Sequence, residues 1–139
     1  MRRRAFVLLN RTVNAVVRRV RPRRFRGARL LYLTTTGRTT GTARTTPLAY
    51  LPDGDRWIVV ASNGGADWEP GWWLNLRAGT SATIEVDGVR APVVGTEVTG
   101  PERDVLWRRL NDEVLDYAAY QAKVSRRIAV VALTATADR

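Results

Sequence analysis

The chain has 139 residues, enough for one domain with a buried core, and its 45% apolar content is that of an ordinary globular protein. It has no cysteine and no histidine, which excludes disulfides, thiolate nucleophiles, serine–histidine hydrolysis and histidine-ligated zinc; the acids are scattered without ligand spacing, so no metal site is expected. The net charge of +10 is uneven: residues 1–52 carry thirteen arginines and no acid, residues 53–139 ten basic and thirteen acidic groups, so the first part calls for an anionic partner or for solvent.

Residues 2–26 hold ten arginines. Phe6, Leu9, Val13, Val16, Val17 and Val20 recur at spacings of three and four, the pattern of one helix face, and Pro22 stops the helix. The arm 1–26 is set apart from a body 27–139, and three readings of it stay open. It packs on the body's own core, lies on an anionic membrane surface with its apolar face down, or binds nucleic acid. A regular apolar stripe argues against the last, and no nucleic-acid partner is expected. Arg3-Arg4-Ala5-Phe6-Val7 resembles a twin-arginine export signal, but Asn10 and Arg11 interrupt the apolar run and no small-residue cleavage site follows. A cytoplasmic location is expected, with peripheral contact to the inner face of the cell membrane if the second reading holds.

The body begins with a strand, Leu30 to Thr36, followed by the loop TTTGRTTGTART at 34–45. A second strand spans Thr45 to Leu51. Pro52-Asp53-Gly54-Asp55 turns it into a third, Arg56 to Ser62. After Asn63-Gly64-Gly65-Ala66, Pro70 and Gly79 bracket a short helix. Thr83 to Val86 and Val89 to Val98 form a hairpin around Asp87-Gly88. Thr99-Gly100-Pro101-Glu102 reads as a capping box, and the helix it opens carries Leu106, Leu110, Val114 and Tyr117 on one face. Ile128 to Thr134 closes the chain as a strand. About six strands with few helices between them predict a mainly β (α+β) fold: an antiparallel sheet or small barrel with peripheral helices.

The loop at 34–45 is neither a Walker A loop nor a dinucleotide fingerprint, since it lacks the Gly-Lys-Ser/Thr ending and strand-like residues follow it. Its glycines, threonine hydroxyls, Arg38 and Arg44 suit a phosphate or carboxylate; equally, a glycine-containing β-loop with two solvated arginines accounts for it. Five tryptophans are many for this length. Trp72-Trp73, close in sequence to Ser62-Asn63 and Gly64-Gly65, suits a flat ring, whereas Trp73 and Trp107 also read as core.

LTTTGRTTGTARTTPLAYL (33–51), VVASNGGADWEPGWWLNL (59–76) and DYAAYQ (116–121) together resemble the deazaflavin-dependent nitroreductase and quinone reductase family. Its members are split β-barrel oxidoreductases of actinobacteria that use coenzyme F-420. The resemblance covers residues 30–131. It implies that Arg38, Thr39, Gly41 and Arg44 meet the phosphate and acidic oligoglutamate tail, and that Pro47, Leu48 and Ala49 lie beside the ring. Ser62, Asn63, Gly64, Gly65 and Ala66 would wrap the deazaflavin with backbone groups, and Gly71, Trp72 and Asn75 would belong to the coenzyme helix. Tyr117 and Tyr120 match tyrosines of the acceptor pocket. The proton donor is then Tyr117, Tyr120, Ser62 or solvent, with Tyr117 first.

The chain departs from the family pattern at Thr39 and Asn63, where basic residues are common, at Gly71, where the side chain is usually bulkier, and at Ala49, where some members have tyrosine. The implied activity is hydride transfer from the reduced deazaflavin to a small-molecule acceptor: a quinone, nitroaromatic or activated alkene. A non-catalytic deazaflavin carrier, a flavin mononucleotide protein on the same barrel and a basic nucleic-acid binder are the competing functions. Edges of such barrels pair between subunits, so a homodimer is compatible with this reading.

Overall fold

The computed structural model describes residues 21–136. The Phe6–Val20 stripe, and with it the three readings of the arm, lies outside the described residues. Strand β1 (Arg24–Phe25) forms a hairpin with β2 (Ala28–Thr36), pairing Arg24 with Arg29 and Phe25 with Ala28. The boundary drawn at residue 26 therefore runs through a hairpin. Arg21, Pro22 and the β1 pair belong structurally to the sheet: Arg21 reaches Glu85 (3.4 Å) and lies over the Tyr32 ring, and the Tyr32 hydroxyl donates to the Pro22 carbonyl (2.8 Å).

Along β2 the side chains alternate, so that Leu31, Leu33 and Thr35 face inward. On one flank β2 pairs with β3 (Ala43–Ala49), and it also pairs with β6 (Ala82–Val86). The sheet continues through β7 (Val89–Val98) and β8 (Val130–Ala135) to β5 (Arg56–Val60) and β4 (Leu51–Asp53), every pairing antiparallel. The single apolar run expected at 45–51 is thus two strands. β3 and β4 sit at opposite edges of the sheet, with only the buried Tyr50 between them. Two successive Cα–Cα steps span at most about 7.6 Å, so the sheet must curl until its edges meet at Tyr50. Beyond that point β3 and the end of β5 separate unpaired, which makes the barrel split. The extra strands relative to the six expected are β1 and the piece of chain beyond this bend.

Two apolar clusters use the two faces of β5 and β8. Val59, Val131 and Leu133 point into the barrel with Leu31, Leu33, Ile84 and Trp73; Ile58, Val60, Val130 and Ala132 point outward onto the helices. Burial on both faces explains why these strands read as continuous apolar runs rather than alternating ones.

Helix α1 (Gly71–Arg77) covers the barrel by packing on β2 and β7. Helix α2 (Gly100–Glu113) covers the outer face through Leu106 and Leu110. The expected capping box does not form. Thr99 makes no side-chain cap bond, and Glu102 pairs instead with Arg56 (2.9 Å). Asp53 accepts from Arg56 and Arg109, which holds its carboxyl below the usual aspartate range and ties the β4–β5 hairpin to α2. Buried Arg103 adds a bond to the Ile128 carbonyl at the entry to β8 (2.7 Å).

The long apolar face expected from Leu106 to Tyr117 is broken. α2 ends at Glu113 and Tyr117 opens a separate helix, α3 (Tyr117–Gln121). Side chains make the new start cheap: Asp116 accepts from the Ala119 amide (3.2 Å) and Asn111 from the Ala118 amide (2.7 Å), taking up donors that no helical carbonyl can reach.

Gly95 on β7 lies directly under Leu76 of α1. A Cβ there would lie 2.8 Å from Leu76 Cδ1, with Leu133 Cδ2 at 3.4 Å, and both leucines are buried. Gly95→Val is therefore expected to lower stability by roughly 1–3 kcal/mol through overpacking, measured as a reduced urea midpoint with an unchanged slope.

Candidate functional site

The split leaves a cleft of about 620 Å³ between β3, the segment after β5, the start of α1 and α3, within the size range of small-molecule sites. Four walls can be traced to their sequence causes. β3 contributes Arg44, Thr46, Pro47, Leu48 and Ala49. Pro47 is tolerated because β3 is an edge strand.

The second wall is a single 3-10 turn, Asn63–Gly65. Three successive residues there take left-handed backbone angles, Asn63 (φ 50°), Gly64 (62°) and Gly65 (85°). Asparagine is among the few side chains that accept this region, and its Nδ2 donates to the Trp68 carbonyl (3.0 Å). Ser62, Asn63 and Gly64 line the cleft, and among the described residues their N–H groups have no protein acceptor. They are half-buried or exposed, so these donors face solvent or a ligand rather than an apolar core.

The third wall is α1 with its lead-in: Pro70, Gly71, Trp72 and Asn75. Trp72 and Asn75 are three apart and share a face. Asn75 is buried, and both ends of its amide are engaged. Oδ1 accepts from the Arg38 backbone N–H (3.1 Å) and from Arg38 Nη1 (2.8 Å), while Nδ2 donates to Thr35 Oγ1 (3.0 Å). It thereby locks α1 to β2 and to the loop that follows β2. That loop is closed by Gly37 N–H to the Thr42 carbonyl and Gly41 N–H to the Gly37 carbonyl, both 2.9 Å. Gly71 has a backbone angle open to any residue, and a Cβ there would meet nothing within 4 Å.

The fourth wall is Leu115, Tyr117 and Tyr120. The rings of Trp107, Tyr117 and Tyr120 form a tilted chain, with centroids 6.4 and 6.3 Å apart. Burial, reinforced by Tyr120, pushes the Tyr117 phenol well above its ordinary value. At neutral pH Tyr117 is therefore a neutral O–H donor.

The structure brings together Arg44, Pro47, Leu48, Ala49, Ser62, Asn63, Gly64, Gly71, Trp72, Asn75, Tyr117 and Tyr120 around one cleft. Arg38, Thr39, Gly41, Gly65 and Ala66 do not line it. Arg38 is turned onto Asn75, and Thr39 and Gly41 are exposed on the loop. Trp73 is core, and Trp68 is 71% exposed. Sequence reasoning missed Phe25, Leu30, Thr35, Thr46, Val60, Pro70 and Leu115 on the cleft and Arg126 behind it. An isolated leucine between two helices and one arginine of a pair carry no pattern that could have flagged them. Arg44 is the one charged side chain among the lining residues, and no carboxylate is among them. A largely apolar cleft with free backbone donors on one wall and one cation among its lining residues suits a planar ring that carries an anionic tail.

Residues 4–135 match the family model described as "F420H(2)-dependent quinone reductase". An F420H(2)-dependent quinone reductase of Mycobacterium tuberculosis (strain ATCC 25618 / H37Rv) is 41% identical over 107 residues, 75% of this chain and 72% of that protein. A solved structure described as an F420-H2 dependent reductase (FDR-A) superimposes with a TM-score of 0.67 at 30% identity, over 75% of this chain and 92% of its own. A second, described as a domain-swapped dimer, reaches 0.68 at 24% identity over 93% and 98% of the two chains, and shares the fold.

The raised Tyr117 phenol has a consequence for stability. Between its ordinary 10.0 and its higher folded value, the unfolded chain has released the proton while the folded chain keeps it. Stability is thus full below pH 10.0 and falls as pH rises, by up to about 1.4 kcal/mol per unit for this group. Chemical denaturation at pH 8 to 11 should show Tyr117→Phe losing less stability on the alkaline side than the parent protein.

Proposed function

Since this chain belongs to the F420H(2)-dependent quinone reductase family, we propose that the cleft between β3 and the Asn63–Gly65 turn holds coenzyme F-420 and that an acceptor enters on the α3 side. The protein is an F-420-dependent oxidoreductase of the quinone reductase type. The observation that carries the site assignment is the pairing of unpartnered Ser62 and Asn63 amides with a lone cation, Arg44, around an apolar floor of Pro47, Leu48 and Trp72.

The bound deazaflavin supplies a two-electron hydride donor, which is how a chain without histidine or cysteine performs redox chemistry. The protein's part is to hold, orient and exclude water. Pro47, Leu48 and Trp72 are suited to flank a flat ring and keep one side dry. The amides of Ser62, Asn63 and Gly64 are suited to its polar edge. Arg44 suits phosphate or tail carboxylates, and so do the donors of Arg38 that Asn75 leaves unused. Tyr117, kept protonated, offers a hydrogen bond to the acceptor oxygen, with Tyr120 and Ser62 as further hydroxyls within the same cleft.

The physiological acceptor we propose is a lipophilic quinone. No described helix is long and apolar enough to cross a membrane, and the sequence of the arm, an apolar stripe with arginines beside it, suits the surface of an anionic bilayer where such quinones reside.

The decisive measurement is a titration with oxidised F-420, run beside flavin mononucleotide, followed by turnover of the reduced coenzyme with a soluble quinone. Saturable F-420 binding with turnover is expected; binding without turnover identifies a carrier. Arg44→Ala should weaken F-420 roughly tenfold, and unchanged affinity removes its assigned role. Removing residues 1–20, which leaves the β1 hairpin intact, should abolish sedimentation with anionic vesicles while sparing turnover of the soluble quinone; equal sedimentation of both forms ends the membrane reading.

A further inference from the structure

We infer that Arg126 is a positioning residue of the coenzyme pocket: from behind the 61–66 segment, one guanidinium fixes the direction in which the Ser62 and Asn63 amides point. The identity of the ligand rests on the function proposed above; the geometry does not.

Arg126 lies just before β8 and does not line the cleft. Its Nη1 donates to the Ala61 carbonyl (3.1 Å) and its Nη2 to the carbonyls of Ser62 (3.1 Å) and Ala66 (3.0 Å), while Nε also reaches Ala66 (3.2 Å). One planar fork thus gathers three carbonyls of a six-residue segment, a task suited to arginine and not to lysine. Peptide planarity gives this arrangement its meaning. In a trans peptide the N–H points opposite to the C=O. The Ala61 and Ser62 carbonyls point at Arg126, the Ser62 carbonyl also accepting from the Gly65 N–H (2.9 Å), so the Ser62 and Asn63 N–H groups point away from it. These are two of the unpartnered donors of the cleft wall.

The charge matters as well as the shape. Among the described residues no carboxylate lies within 4.0 Å of Arg126. A cation that polarises these carbonyls strengthens the opposing amides as donors toward an electron-rich ligand edge. It also helps to hold Asn63, the one residue of the three left-handed ones at 63–65 that is not glycine, in a conformation that costs any side chain.

The same residue joins the two sides of the pocket. Gln121 at the end of α3 donates to the Arg126 carbonyl (2.7 Å) and accepts from the Ile128 amide (2.9 Å). The helix carrying Tyr117 and Tyr120 is therefore pinned to the backbone from which the Arg126 side chain reaches the turn. Relative placement of the ring-binding amides and the acceptor-side tyrosines runs through this one short segment.

The test uses the full chain with Arg126→Ala and Arg126→Lys, each checked for cooperative melting. Arg126→Ala should raise the F-420 dissociation constant by roughly 10- to 100-fold, and Arg126→Lys should recover little of it. Guanidinium ion, far below denaturing concentrations, should restore binding to Arg126→Ala, whereas ammonium should not. A folded Arg126→Ala that binds like the parent overturns the inference, as does lost affinity that guanidinium leaves unchanged. If Arg126→Ala fails to fold, a folded Arg126→Lys with parental affinity overturns it and one with weakened affinity supports it. Should the parent protein ignore F-420, the proposed coenzyme falls on its own. Hydrogen exchange at the Gly65 and Ala66 amides, which donate to the Ser62 and Asn63 carbonyls (2.9 and 3.1 Å), then decides the role of Arg126 in the ligand-free variants: acceleration supports it and parental rates refute it.

Discussion

One residue of chain length governs this molecule. β3 and β4 lie at the two edges of the sheet and only Tyr50 separates them, so the sheet has to curl until those edges nearly touch. Its buried ring and its N–H bond to the Arg29 carbonyl (3.2 Å) hold that corner. A seam closed at one point and open elsewhere is a wedge-shaped gap. The cleft is that gap, bounded by β3 on one side and the chain emerging from β5 on the other. The site is thus a geometric remainder of barrel closure, and the helices α1 and α3 only need to roof it.

Rigidity around the gap comes from polar side chains that brace backbone rather than from further strands. Asn75 engages both ends of its amide, the oxygen with Arg38 and the nitrogen with Thr35. Arg126 spends its fork on the 61–66 carbonyls. Both sit outside regular pairing and both leave cleft-facing groups unencumbered. This division is economical for a pocket that must present donors: groups that would otherwise satisfy each other are satisfied from behind. Charge is segregated in the same way: among the described residues Arg44 lines the cleft and Arg24 and Arg29 lie on β1 and β2, while Asp53, Glu102 and Glu113 are consumed in a network with Arg56 and Arg109 on the α2 side.

Much of this was legible in the sequence, for identifiable reasons. Asp87-Gly88, Pro52-Asp53-Gly54 and the period-two pattern of Leu31, Leu33 and Thr35 are local signals with local causes, and they gave the strands. The SNGGADWEPGWW segment gave two of the cleft walls, because the unusual backbone it encodes needs those residue types, while the threonine–glycine motif contributes only Thr35 and Arg44 to the lining. Other features had no local signature. The bend at Tyr50 lies within an unbroken apolar run and is imposed by closure of the whole sheet. The break before Tyr117 was concealed because Leu106, Leu110, Val114 and Tyr117 keep helical spacing across it and enter one core cluster; Asp116 as a helix cap was the overlooked clue. Glu102 looked like a capping partner but found Arg56, 46 residues away, a stronger ionic partner. Arg38 looked free to reach a ligand, and its bond to Asn75 depends on tertiary placement alone. Arg126 illustrates the limit: its partners are carbonyls, which every residue has.

Gly71 remains, at the head of α1, facing the cleft with empty space where a side chain would start and no backbone obstacle to having one. Nothing in the barrel, the Asn63–Gly65 turn or the Asn75 brace depends on its being small. The width of the cleft at the head of α1 can therefore be reset at a single codon without disturbing the scaffold, so chains of one fold could differ in how much room they leave beside that helix.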